Sequence, residues 1–342
     1  MQGSNTTISI KDVELGYTPN NPIYPKFTVS GDAQELIALV GRNGVGKSTL
    51  LRALAGLHST LSGQIQIMSI PYSELTRHQR ARFISFVPAE PVRVPNLQIK
   101  NFVAVGRFPY SGWTGGLSQN DWEMVDASLR MVGIEHLANR DITAISDGER
   151  QRAMIAFALA QDTKIILMDE PTAFLDLPNK FEMVRLLSQL ARKQCKTIIY
   201  STHDLQGAMG EADMVWMMLP TGFISGAPED LAINQHFQHL LINTDVMFDS
   251  QTGLFKNYRI PNKDIALEGQ GDSLIWTRRL LERLGYNIVR KEAVNLMVSI
   301  SMENNTCIWE IATKGNLISR VDNLTDLGRR LKQIENLKKV DE

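Results

Sequence analysis

The sequence predicts an α/β protein built on a largely parallel sheet and followed by a smaller α+β module. Two continuous apolar runs, KIILMDEP and KTIIYSTHD, are typical of parallel strands that helices cover on both faces. Helical patterns alternate with these strands, which indicates βαβ connections. Towards the C-terminus the pattern changes, because VNLMVSISM alternates in the manner of a hairpin strand. We therefore expect a first domain over residues 1–262 and a second over 263–342.

The elements of the first domain follow in order along the chain. ISIKDVEL alternates as a half-buried strand does, and ELIALVG is a short apolar strand that ends in glycine. TLLRALAGL has helical spacing, and RARFISFVPAE contains the next strand. SQNDWEMVDASLRMVGIEHL then has the apolar face of an amphipathic helix. This pattern predicts a helical subdomain over about residues 91–158.

The second domain is predicted to begin after a linker, LEGQGDS. LIWTRRLLERLG has the spacing of a helix that ends at Gly285, and CIWEI begins a strand returning after the turn ENNT. Apolar residues at helical spacing from Leu324 to Ile334 predict a closing helix. These elements form a hairpin and a core but carry no recognisable site chemistry, so the role of this module stays open.

Composition and charge exclude several classes of function. The chain has 342 residues and a formal net charge of −1, which provides no basic field for a nucleic-acid backbone, so we expect no nucleic-acid partner. The sequence lacks any window of about eighteen uninterrupted apolar residues. Its start, MQGSNTTISIKDVELGY, lacks the basic and apolar regions of a signal peptide. We therefore expect a cytosolic protein that does not span a membrane itself.

A glycine-rich loop lies between the strand ELIALV and the helix TLLRALAGL. Its sequence, GRNGVGKS, matches the phosphate-loop pattern G-x-x-x-x-G-K-[ST] in the required strand and helix context; a chance match of a glycine-rich turn is the alternative. Glycines let backbone N–H groups face a β-phosphate, and the helix adds its positive N-terminal end. Lys47 is expected to reach the β- and γ-phosphates, and the Ser48 hydroxyl to ligate Mg²⁺. The predicted nucleotide contacts of this loop are Gly41, Asn43, Gly44, Gly46, Lys47, Ser48 and Thr49.

Two adjacent carboxylates follow the buried strand IILM. Asp169 is predicted to hold hydrated Mg²⁺, and Glu170 to orient or deprotonate the attacking water. A solvated acidic strand end is the alternative, although the carboxyl edge of such a sheet commonly faces a ligand. One strand later, STHD places His203 where it is predicted to sense the γ-phosphate, the alternative being an ordinary surface or capping histidine.

The four motifs GRNGVGKST, ISDGERQR, LMDEPTAFLD and STHD, in this order and spacing, resemble the nucleotide-binding subunit of an ATP-binding-cassette (ABC) transporter. The resemblance covers roughly residues 8–226. It implies a P-loop ATPase fold with a helical subdomain and use of ATP with Mg²⁺. It also implies a head-to-tail homodimer that sandwiches ATP beneath integral membrane permease subunits, at the cytoplasmic face of the plasma membrane. A substrate-binding protein would then act on this subunit only indirectly.

The resemblance assigns three further groups of residues. The turn ISDGE would close over ATP held by the other subunit, with Ser146, Gly148 and Glu149 at the N-terminus of a helix whose dipole favours a phosphate. An ordinary serine-capped helix fits the same residues. Tyr17 matches the aromatic residue that stacks on adenine, and Asp176 the loop that couples the two sites across the dimer.

The sequence departs from the family pattern at two places. Asp147 stands where the family usually has a glycine close to phosphate, so its carboxylate must point away or weaken closure. FVPAE stands where a strand usually ends in glutamine, and Ala89 occupies the glutamine position. The neighbouring Glu90 is a candidate oxygen ligand for the metal, the alternative being a solvated carboxylate and an extra water.

The stretch FVAVGRFPYSGWTG resembles a segment of importer subunits for iron siderophores, haem and cobalamin, where the permease docks. This favours the ATP-hydrolysing subunit of such an importer. A soluble ABC ATPase with a regulatory C-terminal domain, acting on ribosomes or DNA, is the alternative. The single cassette, the near-neutral charge and the lack of sustained heptads speak against it.

Overall fold

The computed structural model describes residues 6–18, 20–112, 115–257, 260–304 and 306–340. The chain forms two compact units, Met1–Ile242 with Phe248–Leu254, and Asn243–Met247 with Phe255–Glu342. The predicted fold class, an α/β nucleotide-binding domain followed by a smaller module of helices and strands, is confirmed. The predicted boundaries of the domains and of the helical subdomain stay predictions.

The first unit contains two sheets and the helices that cover them. Its strands are β1 (Thr6–Thr18), β2 (Asn21–Asp32), β3 (Leu36–Gly41), β4 (Ser62–Ile67), β5 (Ile70–Pro71), β6 (Ile84–Val87), β7 (Ile165–Met168), β8 (Thr197–Ser201), β9 (Met214–Leu219) and β10 (Gly222–Gly226). Its helices are α1 (Lys47–Leu54), α2 (Arg77–Phe83), α3 (Ile99–Val105), α4 (Gln119–Met131), α5 (Asp147–Ala160), α6 (Leu177–Lys193), α7 (Leu205–Glu211) and α8 (Pro228–Ile233).

The larger sheet has six strands in the order β10-β9-β3-β8-β7-β6, and a four-stranded sheet has the order β2-β1-β4-β5. From β9 to β6 the neighbouring strands are parallel, and β10 pairs antiparallel at one edge. Strands β7 and β8 are buried at every residue, as their continuous apolar runs predict. Because β3, β8 and β7 are parallel neighbours, their carboxyl ends meet at one edge of the sheet.

The helical region packs α3 and α4 against α5, with Val125 and Leu129 of α4 buried. Gly106 follows α3 at a close approach to α5. A Cβ atom added there would lie 2.4 Å from the carbonyl oxygen of Phe157, so a larger residue would force the helices apart.

Further along the chain, β11 (Val246–Asp249) and β12 (Leu254–Asn257) form a two-stranded sheet. The elements of the second unit are then β13 (Lys263–Glu268), α9 (Gly271–Arg283), β14 (Tyr286–Val289), β15 (Leu296–Glu303), β16 (Thr306–Thr313), β17 (Asn316–Val321) and α10 (Leu324–Val340).

The sheet of the second unit has the order β14-β13-β15-β16-β17 and a core of its own. β13, β14 and β17 were not predicted, and the predicted linker LEGQGDS is wrong at both ends because β13 runs to Glu268 and α9 begins at Gly271. In the core, the indole N–H of Trp309 donates a hydrogen bond of 2.7 Å to Thr277 Oγ1. Within the described part of the chain, no helix combines the length and apolar character needed to cross a bilayer.

Candidate active site

The glycine-rich loop connects the carboxyl end of β3 to the first residue of α1. Gly44 and Gly46 have positive φ angles of 78° and 113°, a conformation that a side chain disfavours, and Gly46 is the N-cap of α1. The loop therefore turns tightly and leaves the N-terminal end of α1 directed at its concave side. This arrangement suits an anionic group such as phosphate.

The ammonium group of Lys47 is hydrogen-bonded to carbonyl oxygens of this loop. Its Nζ donates hydrogen bonds to the carbonyl oxygens of Gly41 at 2.9 Å and Arg42 at 3.3 Å. Burial lowers the pKa of Lys47, while the neighbouring carboxylates of Glu170 and Asp169 act in the opposite direction. A cation held at this point can contact phosphate oxygens once it releases one of the carbonyl groups.

Asp169 follows β7 and is almost completely buried, with 3% of its surface exposed. Its Oδ1 accepts hydrogen bonds from Ser48 Oγ at 3.0 Å and from Ser201 Oγ at 2.7 Å. Ser48 belongs to α1 and Ser201 ends β8, so three neighbouring elements converge on one carboxylate. A hydroxyl and a carboxylate at this separation are hard oxygen donors that fit Mg²⁺.

Glu170 comes next in the chain and faces solvent more than Asp169 does. Its Oε1 lies 2.7 Å from Nε2 of His203, which follows β8. Its backbone N–H donates a hydrogen bond of 2.8 Å to Ser201 Oγ, and its φ angle of 49° lies in the left-handed region. The histidine therefore holds a carboxylate that is accessible to water, as activation of a water molecule requires.

These side chains surround one cavity of about 590 Å³. Its described lining residues are Tyr17, Ile23, Asn43, Gly44, Gly46, Lys47, Ser48, Thr49, Glu170 and His203. The residues predicted for the phosphate loop, the water-activating carboxylate and the histidine are thus brought together from distant parts of the sequence. Two predicted residues are not among the described residues that line the cavity. The carbonyl oxygen of Gly41 accepts a hydrogen bond from Lys47, and the carboxylate of Asp169 accepts one from Ser48.

Tyr17 lies at the rim of the cavity with 67% of its surface exposed. Its ring contacts the ring of His58 edge to face, with centroids 5.1 Å apart and an angle of 66° between planes. His58 is held in turn by a 2.9 Å contact between its Nε2 and the carbonyl oxygen of Gly16. A supported and exposed aromatic ring suits stacking on a nucleobase.

The turn ISDGE begins α5, and its residues Ser146 and Glu149 form a capping box at the start of the helix. The Ser146 hydroxyl accepts from the Glu149 backbone N–H at 3.3 Å, and the Glu149 carboxylate accepts from the Ser146 N–H and hydroxyl, each at 2.8 Å. The hydrogen bond from the Ser146 backbone N–H, and then the one from its hydroxyl, lower the pKa of Glu149. Of the residues that the structure describes, none from this turn lines the cavity. Ser146 is exposed, and a Cβ added at Gly148 would meet only ordinary contacts, so sterics within one chain do not require this glycine.

Asp147 is turned away from the free end of α5. Its Oδ1 binds the buried guanidinium of Arg150 and lies 3.7 Å from the guanidinium of Arg93. Arg150 also donates to the carbonyl oxygens of Ile142 and Ile145, which holds the turn in place. The negative charge at this unusual position is therefore compensated within the chain.

Asp176 is the N-cap of α6 and is exposed. Its carboxylate accepts a hydrogen bond of 3.2 Å from the backbone N–H of Asn179. Like Ser146, it stands at a helix start that faces solvent, and its predicted coupling role stays a prediction.

The comparisons with known proteins agree with this geometry. The ABC transporter family matches residues 26–173, and the iron ABC transporter C-terminal domain matches residues 262–332. The achromobactin transport ATP-binding protein of Dickeya dadantii is 37% identical over 66% of this chain and 84% of that protein. The petrobactin import ATP-binding protein FpuD of Bacillus anthracis is 37% identical over 63% of this chain and 81% of that protein.

The chain belongs to the family of ABC transporter ATP-binding proteins. This ABC ATPase hydrolyses ATP for transport. A solved chain of an ABC transporter in an inward-facing conformation has a TM-score of 0.59 at 21% identity, covering 90% of this chain and 98% of the other. At that identity the structural likeness supports the fold alone.

Two features of the ABC ATPase were not foreseen from sequence. Ser201, which bonds to Asp169 and to the Glu170 backbone, ends an apolar strand and resembles an ordinary interior residue. Arg107, in the segment FVAVGRFPYSGWTG, is buried and donates to Asp121 Oδ1 at 2.9 Å and to the Ala160 carbonyl oxygen at 2.7 Å. Part of this segment is therefore structural; its residues 113 and 114 lie outside the described residues.

Glu90 is exposed, and it is not among the described residues that line the cavity. Ala89 precedes it in a bend after β6. The prediction that Glu90 substitutes as a metal ligand therefore receives no support from the cavity's geometry and stays a prediction.

Proposed function

We propose that this chain is the ATP-hydrolysing subunit of an importer for iron-siderophore complexes. The named relatives that transport or import achromobactin and petrobactin, together with the match to an iron ABC transporter C-terminal domain, support this substrate class. We propose further that the chain works with Mg²⁺ as a head-to-tail homodimer, docked on two integral permease subunits at the cytoplasmic face of the plasma membrane. A substrate-binding protein would act through those permeases.

The observation that carries the proposal is the convergence of Ser48, Asp169, Glu170 and His203 beside the phosphate loop. Lys47 moves from the loop carbonyls to the β- and γ-phosphates. Ser48 and Asp169 would hold Mg²⁺, which would neutralise phosphate charge. Glu170 accepts a hydrogen bond from the attacking water, while His203 holds that carboxylate beside the γ-phosphate.

The turn ISDGE completes the site from a second copy of the chain. Ser146 and the backbone at Gly148 present a helix N-terminus that suits the γ-phosphate. In the single chain this N-terminus is exposed and does not line the cavity, which supports a role between two copies. ATP binding would then close the dimer, and hydrolysis at Glu170 would reopen it.

Uptake measurements in the source organism test the substrate class. Cells that carry Lys47→Ala in place of the native chain are supplied with labelled iron as a ferric siderophore, with labelled haem, or with labelled cobalamin. We expect loss of siderophore uptake alone, because only this importer loses its ATPase. The exposed Lys193→Ala serves as the matched control and retains uptake. Loss of haem or cobalamin uptake instead would overturn the siderophore assignment.

Purification of the tagged chain from membranes in mild detergent tests the proposed partners. We expect a polytopic membrane protein in comparable amount, identified by mass spectrometry. Recovery with ribosomal or DNA-associated proteins, and without a membrane subunit, would contradict the importer assignment.

A further inference from the structure

One buried hydroxyl, that of Ser201, bonds to the carboxylate of Asp169 and to the backbone of Glu170. Ser201 has no exposed surface and is the last residue of β8, between β3 and β7 in the sheet. Its Oγ donates a hydrogen bond of 2.7 Å to Asp169 Oδ1 and accepts one of 2.8 Å from the Glu170 backbone N–H. A serine hydroxyl has one proton and free lone pairs, so both hydrogen bonds form at the same time.

The hydrogen bond from Ser201 to Asp169 determines which oxygen of this carboxylate stays available to a metal ion. Oδ1 accepts from both Ser48 and Ser201, whereas Oδ2 accepts from neither hydroxyl. A carboxylate fixed in this way cannot rotate about its terminal torsion without breaking a buried hydrogen bond. Ser201 therefore orients the group that is proposed to hold Mg²⁺.

The bond to Glu170 supports an unfavourable backbone conformation. Glu170 has a φ angle of 49°, which residues with a β-carbon disfavour. Its N–H is satisfied by Ser201, and its side chain is held by His203. Because of this left-handed conformation, the chain leaves the direction of β7 at Glu170. The Glu170 side chain lines the cavity, while Asp169 stays buried.

We propose that Ser201 is a positioning residue that fixes the metal-holding carboxylate and the water-activating carboxylate in one mutual geometry. The inference rests on the proposed ATP hydrolysis at this site. Without the hydroxyl, Asp169 gains rotational freedom and the Glu170 backbone loses its hydrogen-bond acceptor. Metal affinity and turnover therefore fall together, whereas binding of ATP without metal does not depend on either bond.

The test compares wild type, Ser201→Ala and Ser201→Thr, which retains the hydroxyl. Ser85→Ala is the matched control, because Ser85 is also buried in this sheet and its Oγ accepts a 3.0 Å hydrogen bond from Thr163, outside the site. For each protein we measure kcat, the Mg²⁺ concentration for half-maximal activity, Mn²⁺ affinity in the presence of ATP by electron paramagnetic resonance, and metal-free ATP affinity.

In Ser201→Ala we expect kcat and Mn²⁺ affinity each to fall by about tenfold or more, the size typical of losing an outer-shell partner of a metal ligand. The Mg²⁺ requirement should rise in parallel, and metal-free ATP affinity should stay within about twofold. Ser201→Thr should recover most of the loss, and Ser85→Ala should match wild type.

Wild-type kcat and Mn²⁺ affinity in Ser201→Ala would overturn the proposal. An equal loss in Ser85→Ala would also overturn it, because the effect would then belong to any buried hydroxyl of the sheet. If Ser201→Ala fails to fold, Ser201→Cys preserves the size with a weaker donor and gives the same comparison. Absence of ATPase activity in wild type itself would count against the proposed function instead.

Discussion

Helix α1 begins at the phosphate loop, and helix α5 begins at the turn ISDGE. The two helix N-termini differ in what surrounds them. At the sheet edge, neighbouring parallel strands bring Lys47, Ser48 and Glu170 to the lining of one cavity, and Asp169 is hydrogen-bonded to Ser48. In the turn ISDGE, Ser146 and Asp147 are exposed, and the turn's hydrogen bonds are made within its own capping box and to Arg150 of the same helix.

Under the proposed head-to-tail dimer, the first N-terminus belongs to a site assembled within one chain, and the second belongs to half of a site shared between two copies. A capping box stabilises a helix without any ligand, so its presence alone does not indicate function. In that proposal the exposed turn gains a catalytic role only when a second copy of the chain places its own phosphate site against it.

The largest effect is expected at the assembled edge. Glu170→Gln removes the carboxylate that accepts the proton or hydrogen bond of the attacking water, so kcat should fall by about 10³-fold. ATP binding should persist because Lys47 and the loop are unchanged. Single-turnover ATP hydrolysis and equilibrium binding of a fluorescent ATP analogue measure the two effects. Wild-type turnover in Glu170→Gln would remove this residue from the mechanism.

The helical region that carries the turn depends on a buried ion pair. Arg107→Ala leaves Asp121 without its cationic partner and should lower the free energy of unfolding by about 3 kcal/mol, measured by urea denaturation. Arg82→Ala is the matched control, because Arg82 is exposed and contacts only the Pro109 carbonyl oxygen and the Tyr110 ring among the described residues. Equal stability of both variants would refute the structural role of the segment GRFPY.

The same pair predicts an acid dependence. Hydrogen bonds from Ser118, and then from Arg107, lower the pKa of Asp121. A depressed carboxyl pKa stabilises the folded state above the unfolded-state value, and this contribution is lost as the pH falls through the folded-state value, below about pH 4. Asp121→Asn should therefore show a weaker loss of stability than wild type on acidification from about pH 5 to about pH 3. If the stabilities of wild type and Asp121→Asn fell in parallel with pH, the acid dependence would not originate at Asp121.

The exposed turn is tested by substitutions that keep the cap. Asp and Asn are both good N-caps, so Ser146→Asp and Ser146→Asn should retain the melting temperature. The aspartate places a negative charge at the helix end proposed to face the γ-phosphate, so Ser146→Asp should lower ATPase activity by about 100-fold and Ser146→Asn by much less. Equal activity of the two variants would leave Ser146 as an ordinary cap.

The smallest effect is expected at the rim of the cavity. Tyr17→Ala removes the exposed ring and should raise the KM for ATP by about tenfold, in line with base stacking energies. Tyr17→Phe retains a ring face and should match wild type. A KM in Tyr17→Ala equal to that of wild type would show that adenine does not stack here.

Sequence reasoning reached the parts of the site that lie in contiguous motifs. The glycine loop, Asp169, Glu170 and His203 each stand beside a strand whose apolar run is readable, and parallel packing then places them together. Ser201 could not be found in this way because its importance comes from two hydrogen bonds across the sheet. In the second unit, β13 and β14 were missed because both are short and their pairing is parallel, with α9 between them.

The measurement that tests the central contrast most directly is the molar mass of Glu170→Gln in solution, by light scattering with and without ATP. The turn at α5 is predicted to be completed by a second copy, so ATP should convert a single chain of 38.4 kDa into a species of twice that mass. Adding Ser146→Asp to the same variant should prevent the conversion. A single-chain mass with ATP bound would contradict a site shared between two copies.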